Sequence, residues 1–422
     1  MRDRNFWKKS LVFCGVVGLV LCSFSGVMAA MPVMAESGSA ADFEEPYDEF
    51  GWFGVLLDIS EDLVSEEIAV ADPAPGSSKQ YPRVSAHAVV LMDVASGQIC
   101  YERAAHSVRP PASTTKIMTA ILAIESDLMD SVVTVSEKAA NTGEASLHLD
   151  AGQKVVLKEL VEGALVRSGN DACVAIAEAV GGDMEAFVRD MNRKAAVLGA
   201  VNTRFKNPNG LPNPDHVSTA YDLALMARYA LQNPVFAKYV SESSGEFESV
   251  EPRRSVDIRN TNKLLNSYPN ADGVKTGTTS AAGKCLVASA TKDGRQLVCV
   301  VLDAPDRFGD CHRLLEWGFH NTETLVLGKK GDVVVNQVVG NTEVPFSLTA
   351  DAWVLLKGEE AENLTFTTLF PHNISSVRRG DIVGSYVVYI GEREVFRCGL
   401  QAGANADAPK NDNWFKNLMR RD

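Results

Sequence analysis

The run "GKCLVASATKDGRQLVCVVLDA", residues 283–304, constrains the fold most. Two β-rich stretches flank Asp293-Gly294, a dipeptide that tolerates the backbone angles of a tight turn, so the segment reads as a β-hairpin. Far upstream, "AHAVVLMDVASGQICYER" repeats the theme as two strands joined at "ASG". Between these ends the pattern is helical. Ile117, Ile121 and Ile124, with Met118 and Leu122, recur at helix spacing behind Pro110 and Pro111. "LKELVEGALVRSGNDACVAIAEAVGG" reads as helix, break at Ser168-Gly169-Asn170, and helix again, closed by Gly181-Gly182. "MEAFVRDMNRKAAVLG" is a further amphipathic helix. After the turn-rich "NPNGLPNPDH", another helix starts in "STAYDLALMARYAL", with Ser218 or Thr219 as its cap. Strands at both ends with helices between predict an α+β domain over residues 82–321. From 322 to 402, "DVVVNQVVG", "WVLLKG", "LTFTTLF" and "DIVGSYVVYIG" are short strand-like runs between turns, which predict a small all-β domain.

The ends of the chain differ from its body. "MRDRNFWKKS" is basic, "LVFCGVVGLVLCSFSGVM" is apolar, and "AAMPVMAES" is small and mixed. That is the layout of a secretory signal over residues 1–35, and a retained membrane anchor is the alternative reading. Residues 36–81 form an acidic, poorly ordered spacer, in which "FGWFGVLLDISEDLV" could make a short amphipathic helix. Twelve acidic residues and no Lys or Arg between Glu36 and Ser78 carry most of the net charge of −13. The remainder is close to neutral and shows no basic stripe, which argues against nucleic acid as a partner. In the tail, 403–422, Trp414, Phe415, Leu418 and Met419 share a helical face beside Lys416, Arg420 and Arg421. It reads either as a short membrane-surface helix or as a frayed polar tail.

Six cysteines follow the signal, mostly in apolar runs where a free thiol acts as a small core residue, so buried thiols are expected rather than a disulfide framework. No CxxC or HExxH pair occurs, and neither a metal nor a cofactor is expected.

The chemistry begins at "PPASTTKIMTA", residues 110–120. A helix N-terminus favours acids, yet Lys116 stands there, three residues after Ser113. Side chains at i and i+3 share a helix face, so the lysine amine can reach the serine hydroxyl. A hydroxyl is a weak nucleophile until a base takes its proton, and a lysine with a depressed pKa can be that base. S-x-x-K alone occurs by chance. "VRSGNDA" adds Ser168 and Asn170 at a break between helices, and "DGVKTGTTS" adds Lys275, Thr276 and Gly277 on an edge strand before the hairpin. Each could be a plain turn or strand end, but the ordered set S-x-x-K, S-x-N, K-T-G is that of active-site-serine penicillin-binding proteins and class A β-lactamases.

With these motifs and "LMDVASGQICYE", "MNRKAAVLGAVNTRFKNPNGL", "HVSTAYDLALMA", "NTNKLL" and "LLEWGF", the chain resembles the low-molecular-weight penicillin-binding proteins that are serine-type D-alanyl-D-alanine carboxypeptidases. The resemblance covers roughly residues 82–400. It implies a β-lactamase/transpeptidase-like catalytic domain, an antiparallel sheet with a helical subdomain, followed by a C-terminal β domain. It implies an exported enzyme acting outside the membrane on peptidoglycan stem peptides ending in D-Ala-D-Ala, with β-lactams as covalent inhibitors. Ser113 would be the nucleophile, Lys116 its base, and Ser168 a proton relay to the leaving D-alanine. Asn170 would hold Lys116 and the substrate amide. Lys275 and Thr276 would bind the terminal carboxylate, and the N–H groups of Ser113 and Thr278 would form the oxyanion hole beside Gly277. Arg307, in "APDRFGD", either adds charge near that carboxylate or is a surface arginine. Thr278 departs from the histidine that often follows K-T-G, which matters little if only its N–H is used. A β-lactamase is a rival, but no glutamate between Asn170 and Lys275 has Asn four residues on, as the E-x-x-L-N pattern requires. A non-catalytic penicillin sensor and a cross-link endopeptidase with the same residues stay open.

Overall fold

A computed structural model describes residues 81–408, Asn373 excepted. The signal, nearly all of the acidic spacer with its short amphipathic segment, and the basic-aromatic end of the tail lie outside the described residues.

The chain first lays down β1 (Ala88–Asp93) and β2 (Ile99–Arg103). A short 3-10 turn, Ala112–Thr115, then runs directly into α1 (Lys116–Glu125). A small ribbon of β3 (Val132–Thr134) and β4 (Lys154–Val156) brackets α2 (Glu137–Ala140). The helical block continues with α3 (Leu157–Val166), α4 (Asn170–Gly181), α5 (Met184–Val197), α6 (Ala220–Leu231) and α7 (Pro234–Ser241). A second ribbon, β5 (Ser244–Ser249) with β6 (Arg254–Arg259), and the single turn α8 (Leu264–Ser267) lead back to the sheet. There β7 (Ala271–Thr279), β8 (Gly283–Lys292) and β9 (Arg295–Leu302) form a meander, followed by α9 (Arg307–Asn321).

These strands make one antiparallel sheet in the order β2-β1-β9-β8-β7, which leaves β7 at an edge. Strands far apart in sequence meet because β1 pairs with β9, Val90 opposite Val300. The expected hairpin turn is present, with Asp293 at φ 51° and Gly294 at φ 79°. Every residue of β1 is buried, because both faces of the sheet are covered. Ala88, Val90 and Met92 face the helical block, while Val89 and Leu91 pack with Cys311, Leu314 and Leu315 of α9. Each large side chain so buried contributes roughly 1.5–3 kcal/mol. Order at the front of this domain is tied to α9: buried Asp310 accepts the Ser85 and Ala86 N–H groups, at 2.9 Å each to Oδ2.

Thr219 is the cap of α6, its hydroxyl accepting the Asp222 N–H at 3.0 Å. All six described cysteines are free and buried.

The C-terminal part is all β. A two-stranded ribbon of β10 (Thr322–Gly328) and β13 (Ala352–Lys357) lies with a five-stranded sheet, whose order is β11-β12-β16-β15-β14. Its strands are β11 (Val333–Val339), β12 (Thr342–Leu348), β14 (Leu364–Leu369), β15 (Ile382–Ile390) and β16 (Arg393–Ala402). Phe346, Val354, Val388 and Leu400 centre its core. Three of these strands, β10, β12 and β16, are not prominent in the sequence, because charged residues or a proline interrupt their apolar pattern. Polar side chains join this part to the sheet that contains β1. Gln98 donates to the Val395 carbonyl at 2.7 Å and accepts the Leu355 N–H at 2.9 Å. Arg295 links Asp93 at 2.9 Å to the Thr322 hydroxyl at 2.8 Å.

Candidate active site

Ser113 sits where the chain is forced out of ordinary geometry. Ala112 has φ 49°, in the left-handed region that side chains rarely adopt. The next turn is locked from below: the Thr114 hydroxyl donates to the Pro111 carbonyl at 2.7 Å, and the Thr115 hydroxyl to the Ala112 carbonyl at 2.8 Å. The result holds Ser113 at the amino end of α1, facing the lysine one turn on.

Lys116 is fully buried, and its amine meets three oxygens: Ser113 Oγ at 2.9 Å, Asn170 Oδ1 at 2.8 Å and the Asn209 carbonyl at 2.7 Å. None is a carboxylate. Burial therefore drives its pKa below the ordinary lysine value of 10.5, opposed only in part by the charges of Cys173, Asp171 and Glu144.

Asn170 opens α4. Its Nδ2 donates to the Gly143 carbonyl at 3.0 Å, which fixes the amide so that Oδ1 points at Lys116. Ser168, just before it, takes the left-handed φ of 69° and is buried. The loop that receives Asn170 is bolted to α4 by Asp171, which accepts from Ser146 Oγ at 2.6 Å and from the Leu147 N–H at 2.9 Å.

Edge strand β7 forms the opposite wall. Lys275 is buried, with Nζ 3.2 Å from the Thr276 carbonyl, and its pKa is pushed well below 10.5 by burial and then by the charge of Lys116. The Thr276 hydroxyl is 2.6 Å from that of Thr261. Gly277 passes so close to the serine turn that a Cβ would lie 2.9 Å from the Ser113 nitrogen. Thr278 follows at the exposed end of the strand. Arg307 Nη1 donates to the Gly277 carbonyl and to Thr278 Oγ1, both at 2.9 Å, so this arginine lies half-buried against β7 rather than free on the surface.

The structure thus brings all three motifs to one place, and adds residues that the sequence left inside a turn-rich loop. Asn209 supplies a carbonyl to Lys116. His216, buried at the end of that loop, sits 2.8 Å from Thr115 Oγ1 through Nε2, and its Nδ1 accepts the Lys206 N–H at 3.0 Å. The only sequence signal for this floor is Asn209-Gly210: Gly210 has φ 83°, and a Cβ there would meet the Ala112 carbonyl at 1.9 Å.

A family model described as D-alanyl-D-alanine carboxypeptidase matches residues 75–306, more than half of the chain. The chain belongs to that family. This serine carboxypeptidase is 35% identical over 320 residues to D-alanyl-D-alanine carboxypeptidase DacF of Bacillus subtilis, covering 72% of this chain and 81% of the relative. It is 37% identical over 324 residues to D-alanyl-D-alanine carboxypeptidase DacC of Escherichia coli, with 72% and 80% covered. Among solved structures, penicillin binding protein 5 from Haemophilus influenzae superposes with the carboxypeptidase at TM-score 0.70 and 29% identity. That match covers 78% of this chain and 99% of the other.

Proposed function

We propose that the protein is exported and removes the terminal D-alanine from peptidoglycan stem peptides through an acyl-enzyme on Ser113. The same hydroxyl would be acylated by β-lactams. Residues 1–35 would be the cleaved leader, 36–81 a spacer, 82–321 the catalytic domain and 322–402 its β partner, with 403–422 a tail that can rest on a membrane surface.

One observation carries the reading. A neutral amine has two N–H donors and one lone pair, whereas an ammonium has three donors. Asn170 Oδ1 and the Asn209 carbonyl can only accept, so in the neutral form of Lys116 they would take both donors. Its lone pair then faces the Ser113 hydroxyl, 2.9 Å away. Proton transfer along that line would free Oγ to attack the penultimate D-alanine carbonyl, forming the ester as the C–N bond breaks. Ser168 would pass a proton to the departing amine. The Ser113 and Thr278 N–H groups would hold the oxyanion, while Lys275, Thr276 and Arg307 would hold the substrate carboxylate, with Gly277 leaving room for both walls. Water would then cleave the ester and regenerate Ser113.

The test is D-alanine release from a defined pentapeptide ending in D-Ala-D-Ala, with benzylpenicillin added to parallel samples. Release by the wild-type chain, no release by Ser113→Ala, and a covalent penicilloyl adduct on Ser113 are expected. Rapid penicillin turnover without D-alanine release would replace this reading with a β-lactamase.

A further inference from the structure

Charge in the cleft is lopsided. Lys275 and Arg307 stand along β7, where the proposed function places the substrate carboxylate. On the loop that holds Asn170 stands an exposed carboxylate, that of Glu144. Its position is fixed from both sides: the Gly143 carbonyl accepts Asn170 Nδ2 at 3.0 Å, and the Ala145 carbonyl accepts the Asn170 N–H at 2.7 Å. Glu144 itself adopts the left-handed φ of 66°, between two neighbours that hold the site asparagine. The loop cannot easily drift, because Asp171 clamps the Leu147 and Leu149 N–H groups just beyond.

Asp171 is occupied by those hydrogen bonds, but Glu144 takes part in none of the ion pairs among the described residues. Its charge nonetheless reaches the site: burial lowers the Lys116 pKa, and Glu144 is among the groups that oppose this. A carboxylate without an ion-pair partner among the described residues, on a backbone pinned to Asn170, is suited to a cationic part of the substrate.

The proposed function sets which part that is, and the inference rests on it. With the terminal carboxylate at Lys275 and the reacting carbonyl at Ser113, a peptide running on past Asn170 would reach residues 143–145, which hold that asparagine. We propose that Glu144 is a specificity-determining residue that binds a primary ammonium on the side chain of the residue preceding D-Ala-D-Ala.

The experiment compares two tripeptides on the purified full chain, Nα-acetyl-L-Lys-D-Ala-D-Ala and its Nα,Nε-diacetyl form. Wild type should favour the free amine in kcat/KM by about fivefold at low ionic strength, and the preference should shrink as salt is added. Glu144→Gln should bring the two substrates to parity, and Glu144→Lys should reverse their order, with circular dichroism confirming that both variants are folded. Equal kcat/KM for the two substrates in wild type, or an undiminished preference in Glu144→Gln, overturns the proposal. Failure of wild type to cleave either peptide would instead remove the carboxypeptidase reading and this inference with it.

Discussion

Gly277 and Ser113 touch backbone to backbone: a Cβ on the glycine would lie 2.9 Å from the serine nitrogen and 3.0 Å from the Pro111 carbonyl. The third motif is thus seated directly on the first, and the width of the cleft is set by an absent methyl group. Gly277→Ala should push β7 away from the serine turn. Displacing reacting groups by about 1 Å costs on the order of 10²-fold in rate. Penicillin labelling should slow by that factor while the far-ultraviolet circular dichroism spectrum is retained; labelling at the wild-type rate would show that the wall yields.

Lys116→Met tests the base. The variant keeps the apolar stem and removes the amine, so acylation should fall by about 10²–10⁴-fold, the range of a general base. Stability should change by no more than about 1–3 kcal/mol, because the Asn170 and Asn209 acceptors lose a partner while a buried amine disappears. In wild type, burial places the amine's pKa below 10.5, so its free base accumulates at lower pH than for an exposed lysine. Acylation should accordingly rise with pH and level off before 10.5. A limb still climbing there would take Lys116 out of this role.

His216 should make the fold acid-sensitive. Burial, and then the charge of Lys116, lower its pKa from 6.5 to about 4. The folded state thus binds fewer protons than the unfolded chain between these values, and stability is lost as pH falls through that window. The loss amounts to about 3 kcal/mol by pH 4. Protonation also puts a second donor at Nδ1, against the Lys206 N–H it normally accepts. Urea unfolding at pH 7 and pH 4 should show a steeper decline for wild type than for His216→Gln. Parallel declines would mean that His216 titrates normally.

Asp171→Asn should loosen the loop that orients Asn170. The carboxylate is buried and accepts the Leu147 and Leu149 N–H groups and Ser146 Oγ. An amide cannot replace all of these, and the expected cost is about 2–4 kcal/mol. A drop in kcat/KM larger than the drop in folded fraction would show that Asn170 has lost its alignment; equal drops would confine Asp171 to stability.

Much of the catalytic domain is legible in the sequence because its signals are local. Asp293-Gly294 marks its hairpin, Thr219 caps α6, and the apolar spacing of Ile117 and Ile121 marks α1. The ribbons β3–β4 and β5–β6 are not legible in this way. In β5 and β6, Phe247 and Ile258 are buried among charged neighbours, and pairing across the ribbon rather than intrinsic pattern holds them.

The site divides along the same line. S-x-x-K, S-x-N and K-T-G are short enough to be read directly, and they name Ser113, Lys116, Ser168, Asn170, Lys275, Thr276 and Gly277. Asn209 and His216 carry no such signal, because a backbone carbonyl is available at every residue and a histidine after a turn has many uses. The order of the three motifs and the alternation of strands and helices belong to the sequence alone. Tertiary structure decided that β1 pairs with β9, that Lys116 is enclosed without a carboxylate partner, and that Arg307 turns onto β7. The reason is physical: periodicity and turn chemistry act over a few neighbouring residues, whereas desolvation of an amine depends on every segment that closes around it.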